Sequence, residues 1–266
     1  MTSPQPSRVS IDRLTVIGLV LLLLPMLTML HEIGGHAAAC LAVGGDLRAI
    51  GAFYVDCSTT TPLARRIVVG AGVSADMVIA VLAWRAWRGA RTPLAQLLLW
   101  LVWTAKGFVA IGYFAFSGLV GIGDLSPRAL LLPESSMLGW RVSAALIGII
   151  GYRWVMLRSA AAARHMLGGG SDGVVTQQWL AWGFYAAMGG SALVVGALNP
   201  LGLGVMLQSA AASTLGGLAG FIGIARMADK DGAGADFVVP RHWPLIGAGF
   251  AMFAAYAAVL GPTLRF

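Results

Sequence analysis

The run Met29-Leu30-His31-Glu32-Ile33-Gly34-Gly35-His36-Ala37-Ala38-Ala39-Cys40 decides how the rest of the chain is read. It sets two of the four histidines and a glutamate into an apolar stretch running from about Leu14 to Val43. That stretch exceeds the roughly 20 residues needed to cross a bilayer, so the motif lies inside or near the hydrocarbon region. Ionisable groups at such depth are costly and mark functional sites. Two imidazoles and a carboxylate this close together read as a metal site with a built-in base.

The spacing is one residue longer than the familiar H-E-x-x-H. Histidines at i and i+4 are separated by about 40° on an ideal helix, whereas His31 and His36, at i and i+5, are separated by about 140°. A regular helix would point them to different faces. Gly34-Gly35 offers a solution, because a π-bulge takes up one extra residue and glycine pairs deform readily. The sequence therefore predicts a bulged or unwound helix here, with both imidazoles on one ion. Pro25, one to two turns earlier, can bend the same helix.

Working outward, 58% of the 266 residues are apolar and 11% are charged, with a mean hydropathy of +0.80. Soluble chains are usually about 25% charged, so the composition indicates an all-α polytopic membrane protein. The net charge of +7 is spread over loops and reads as topology-setting arginine, not as a nucleic-acid surface. Residues 1–13 form a polar tail, with 1–12 expected to be disordered. The apolar run after it has no convincing cleavage site and is read as a retained helix, not a signal peptide. Residues 46–63 change to β-branched and aromatic character and predict a short re-entrant hairpin.

Further spans follow at about 67–87, 93–120, 138–157, 178–198, 201–225 and 243–260, giving about six to seven helices. Residues 158–176 and 226–243 read as loops, the first as the best internal boundary. The division is a core over 14–130 and an additional helix bundle over 131–266. The second half carries no chemistry that stands out and reads as a scaffold or client-docking bundle. Arginine and lysine placement favours an inner N-terminus. Cys40 and Cys57 lie in or near spans and need not pair.

A zinc hydrolase needs three protein ligands. His31 and His36 supply two, and Glu32 is the candidate catalytic base. The third is sought among Asp124, Asp76 and Asp56, since His165 and His242 lie in polar loops. The ends of the first and third spans face the same side, which puts Asp124 at the level of the histidines. Its Gly-rich turn also allows close approach to a metal. Asp124 is therefore preferred. Asp76 stays open as a ligand, but it has a competing use as the partner of Lys106 in a buried charge pair.

The helix carrying His31-Glu32-Ile33-Gly34-Gly35-His36, with Gly44-Gly45 after it, resembles the site-2 protease family of intramembrane zinc metallopeptidases (peptidase family M50). The segment that follows looks like the family's membrane-associated β-segment. Val69-Gly70-Ala71-Gly72-Val73-Ser74-Ala75-Asp76 looks like its A-G-P-x-x-N element, with changes at Ser74 to Asp76, and Gly123-Asp124 matches its zinc-binding aspartate. The likeness covers about residues 14–130. The extra residue in the motif and the missing N-x-x-P…D-G signature depart from the family pattern. So does the N-inside orientation, which is opposite to the family's usual one.

The resemblance implies Zn2+ held by His31, His36 and Asp124, with Glu32 activating a water that cuts a membrane protein or peptide substrate. It implies a bacterial inner membrane as the location. The hairpin would pair with an extended substrate strand. The alternative is a non-proteolytic membrane protein: a metal-binding transporter, using Asp76, Lys106, Asp124 and the break at Asn199-Pro200, or an inactive protease-like client-binding protein.

Overall fold

The computed structural model describes residues 8–229 and 235–266. Residues 1–7 of the expected tail, and 230–234 of the expected charged loop with Lys230, lie outside them. Among the described residues six helices are long and apolar enough to cross a membrane, and the chain is a multi-pass membrane protein. They are α1 (Arg13–Ala42), α2 (Pro62–Gly89), α3 (Pro93–Leu119), α4 (Glu134–Leu167), α5 (Gly170–Ala197) and α6 (Met206–Arg226). A shorter apolar helix, α7 (Trp243–Val259), follows.

Helix starts are written locally. Asp12 accepts from Thr15 N at 3.0 Å, and Thr61 and Thr92 cap helices whose first residue is Pro62 or Pro93. A side-chain oxygen there satisfies an orphan N–H, and proline has none to lose. The Asp12 carboxyl is opposed by partial burial, but Arg241 and the Thr15 bonds hold it below its ordinary range.

Two small sheets tie the ends of the chain to the bundle. β1 (Val9–Ile11) runs parallel to β4 (Phe237–Val239). The expected tail is therefore ordered from Val9, because β4 supplies its hydrogen bonds. β2 (Asp46–Gly51) and β3 (Tyr54–Ser58) form the expected hairpin, and β5 (Leu264–Arg265) adds to the far side of β2. The order β3-β2-β5 leaves β3 as a free edge.

One expectation is corrected, and one point the sequence left open is answered. Residues 158–176 are not a loop: α4 continues to Leu167 and α5 starts at Gly170. Arg158, Arg164 and His165 made this stretch look polar, yet Ser159, Ala160, Ala162 and Ala163 of the same stretch are buried, and that apolar face sustains the helix. Cys40 and Cys57 also do pair, as a disulfide with a Cα–Cα distance of 6.1 Å. It joins the end of α1 to β3. The hydrophobic core runs through both halves, from Leu19 and Leu24 to Trp100, Phe184 and Phe221.

Candidate metal centre

The motif helix widens into a π-helix over Glu32–Ala37. The wider turn cancels the extra residue, and the two imidazoles meet with Nε2 to Nε2 at 3.2 Å. Gly35 makes this compatible with packing: a Cβ there would fall 2.6 Å from the Gly72 Cα on α2. The two helices touch backbone to backbone at this level.

One face of α2 sets the rings. Val68, Gly72 and Asp76 recur every four residues and so share that face. His36 Nδ1 donates to the Val68 carbonyl at 2.7 Å, and His31 Nδ1 donates to Asp76 Oδ2 at 2.8 Å. A carbonyl accepts only, so the His36 proton sits on Nδ1. Asp76 is itself paired with buried Lys106, which holds the carboxylate in place. Partners of this kind fix the tautomer of metal-binding histidines. Between them lies Gly72, where a Cβ would come within 2.7 Å of His31 Cε1 and Nε2.

Asp124 closes the group from the turn after α3. Gly123 takes φ +91° to make that turn, a conformation glycine adopts at little cost. Asp124 Oδ2 lies 3.5 Å from His31 Nε2 and 3.3 Å from His36 Nε2, yet it is buried without a hydrogen-bond partner. These facts agree once the ring protons are on Nδ1: three acceptor atoms converge with no proton between them. A cation satisfies all three acceptors. Four ligands at about 2.0–2.1 Å in a tetrahedron stand about 3.3–3.4 Å apart, which matches the 3.2, 3.3 and 3.5 Å edges here.

Glu32 is buried beside them, with His31, Glu32 and His36 each offering a ligand atom within 4.8 Å of the others. The buried cluster can hold a metal ion. Unlike Asp76, Glu32 has no hydrogen bond or ion pair among the described residues, and it lines the adjoining cavity of about 860 Å³. That cavity also takes in Tyr54–Cys57 of β3 and Gln208 and Ser209 of α6.

Of the sequence candidates, His31, Glu32, His36 and Asp124 come together. Asp76 stands behind His31, paired with Lys106. Asp56 lies on β3 at the cavity wall. His165 packs on Trp87, and His242 caps α7 at Leu245 N. Sequence reasoning missed Tyr113. Its ring stacks on His31 at 5.3 Å between centroids, and its hydroxyl lies 3.5 Å from His31 Nε2. The available signal was its spacing, two turns beyond Lys106 on α3. No protein-family model, no curated protein and no solved structure matches the chain.

Proposed function

We propose that the chain is an intramembrane zinc metalloprotease. The observation that carries this reading is the convergence of His31 Nε2, His36 Nε2 and Asp124 Oδ2 at 3.2–3.5 Å, beside a buried glutamate that nothing else employs. Two nitrogens and one carboxylate oxygen with one side open is the donor set of a catalytic zinc site. When bound there, zinc supplies a Lewis acid that polarises water and the substrate carbonyl.

The chain's own residues supply the rest. Glu32 takes the proton of the attacking water and returns it to the leaving amine nitrogen. The Tyr113 hydroxyl, held by stacking on His31, donates a hydrogen bond to the oxygen on which negative charge develops. Asp76 and Val68 hold the two rings in register. The free edge of β3 offers backbone N–H and C=O groups to an extended peptide, which suits a reaction that a helical peptide bond does not permit.

The transporter alternative asks Asp76 and Lys106 to line a path. Their mutual ion pair and the bond to His31 employ both instead. The test is Glu32→Gln with a co-expressed apolar membrane substrate. Cleavage is expected to stop while bound zinc stays; cleavage that continues would remove Glu32 from the mechanism.

A further inference from the structure

Arg153 stands on α4 nineteen residues after Glu134 and fourteen before Leu167 (153 − 134 and 167 − 153). At 1.5 Å per residue that is about 28 Å and about 21 Å from the two helix ends. At this level the α4 side chains pack on the α3 backbone, where a Cβ on Gly112 would meet the Tyr152 ring at 3.7 Å. Arg153 is thus an arginine at bilayer depth.

The other arginines of α4 have partners. Arg141 donates to the carbonyls of Gly118 and Leu119, Arg158 lies over Trp154, and Arg164 donates to the Met227 carbonyl. Arg153 makes no hydrogen bond, ion pair or ring contact among the described residues. It lines the same cavity as His31, Glu32 and Asp124. Intramembrane charges without a protein partner mark substrate paths.

The charge of the cavity points the same way. Its lining holds Glu32, Asp56 and Asp124 against Arg65 and Arg153. Arg65 donates to the Ala129 carbonyl, which leaves Arg153 as the cation of this lining with no partner among the described residues. A guanidinium presents a planar fork that matches a carboxylate or a phosphate. Depth separates these two. Lipid phosphates lie at the edge of a hydrocarbon core about 30 Å thick, roughly 15 Å from its centre, whereas Arg153 is near the middle of its helix.

We propose that Arg153 is the specificity-determining residue of the cavity and that it binds a carboxylate carried by the peptide substrate. The occupant being a peptide rests on the protease reading. The carboxylate preference does not need zinc.

The test uses the purified full chain in neutral detergent and two pairs of apolar heptapeptides. One pair differs only in a C-terminal carboxylate or carboxamide, the other only in a central Asp or Asn. Binding is measured by isothermal titration, with zinc content read in parallel. At least one pair is expected to show the acid binding about tenfold tighter, as a charge-assisted bond gives, and the pair that does so identifies the source of the carboxylate. Arg153→Gln is expected to erase that preference with zinc content unchanged, and Arg153→Lys to keep part of it. Equal binding of acid and neutral peptides by the unaltered chain would overturn the proposal, as would a preference that survives Arg153→Gln. Arg153-dependent binding of lysophosphatidylglycerol with no peptide preference would overturn it in favour of a lipid site. Absence of a preference in the unaltered chain, with its zinc and cleavage intact, refutes this inference alone; an Arg153-dependent preference in a chain that purifies without zinc refutes only the protease reading.

Discussion

His31 Nε2 and His36 Nε2 face each other at 3.2 Å while both Nδ1 atoms are bound from behind, by Asp76 and by the Val68 carbonyl. Two imidazole lone pairs aimed at one point are unfavourable unless a cation lies between them. The π-turn creates this arrangement, and α2 maintains it.

Gly72 keeps the space in front of the rings clear. Gly72→Ala places a methyl against both Nε2 atoms, and overpacking of this kind costs about 1–3 kcal/mol. Zinc affinity is expected to fall about tenfold or more. Gly70→Ala, on the same helix with nothing within 4 Å of its Cβ, is the control and is expected to be neutral. Competition with a zinc-sensitive dye measures both.

The Lys106–Asp76–His31 chain separates orientation from ligation. Asp76→Asn keeps the shape but weakens the bond to His31, and zinc affinity is expected to drop by about 10–100-fold. Lys106→Met leaves a buried carboxylate without its counter-charge, and a loss of about 3–5 kcal/mol in stability is expected. Unfolding in detergent reads the second effect, and metal titration the first.

Much of this was legible in the sequence. The mismatch between five-residue spacing and a shared ion required a widened turn, and Gly34-Gly35 marked where it would fall. Asp124 and the Asp76–Lys106 pair followed from depth and from the cost of lone charges. Tyr113 and Val68 were not legible: one is a tyrosine in an aromatic run, and the other acts through a backbone carbonyl that no side-chain pattern reports. The disulfide was hidden because Cys40 and Cys57 meet only once the hairpin folds back on α1. Arg153 was masked by the other arginines of a helix expected to end ten residues early.

Tyr113→Phe tests the oxyanion donor. The stacking on His31 is retained and only the hydroxyl is lost. A fall of about 10²–10³ in kcat is expected, with bound zinc and KM little changed. A rate within about twofold of the unaltered chain would assign Tyr113 to ring packing alone.

The Cys40–Cys57 bond lies at the same end of the bundle as Asp124 and closes a 17-residue separation. Disulfides persist in oxidising compartments, and an inner N-terminus, the orientation the arginine placement favours, would send this end out as well. Two outcomes are expected. A cysteine introduced at Thr60 in a Cys40→Ser/Cys57→Ser background should react with an impermeant maleimide in intact cells. Reduction of the unaltered chain should cost about 2–4 kcal/mol and loosen β3 from the site. Labelling only after lysis would reverse the orientation.

The most direct measurement is the metal content of the purified chain by mass spectrometry, alone and with single substitutions. Stoichiometric zinc is expected in the unaltered protein and in His165→Ala and His242→Ala. It is expected to be lost in His31→Ala, His36→Ala and Asp124→Ala, and retained in Glu32→Gln. A chain that purifies folded without stoichiometric metal, or one whose zinc survives removal of His31 and His36, would contradict the account.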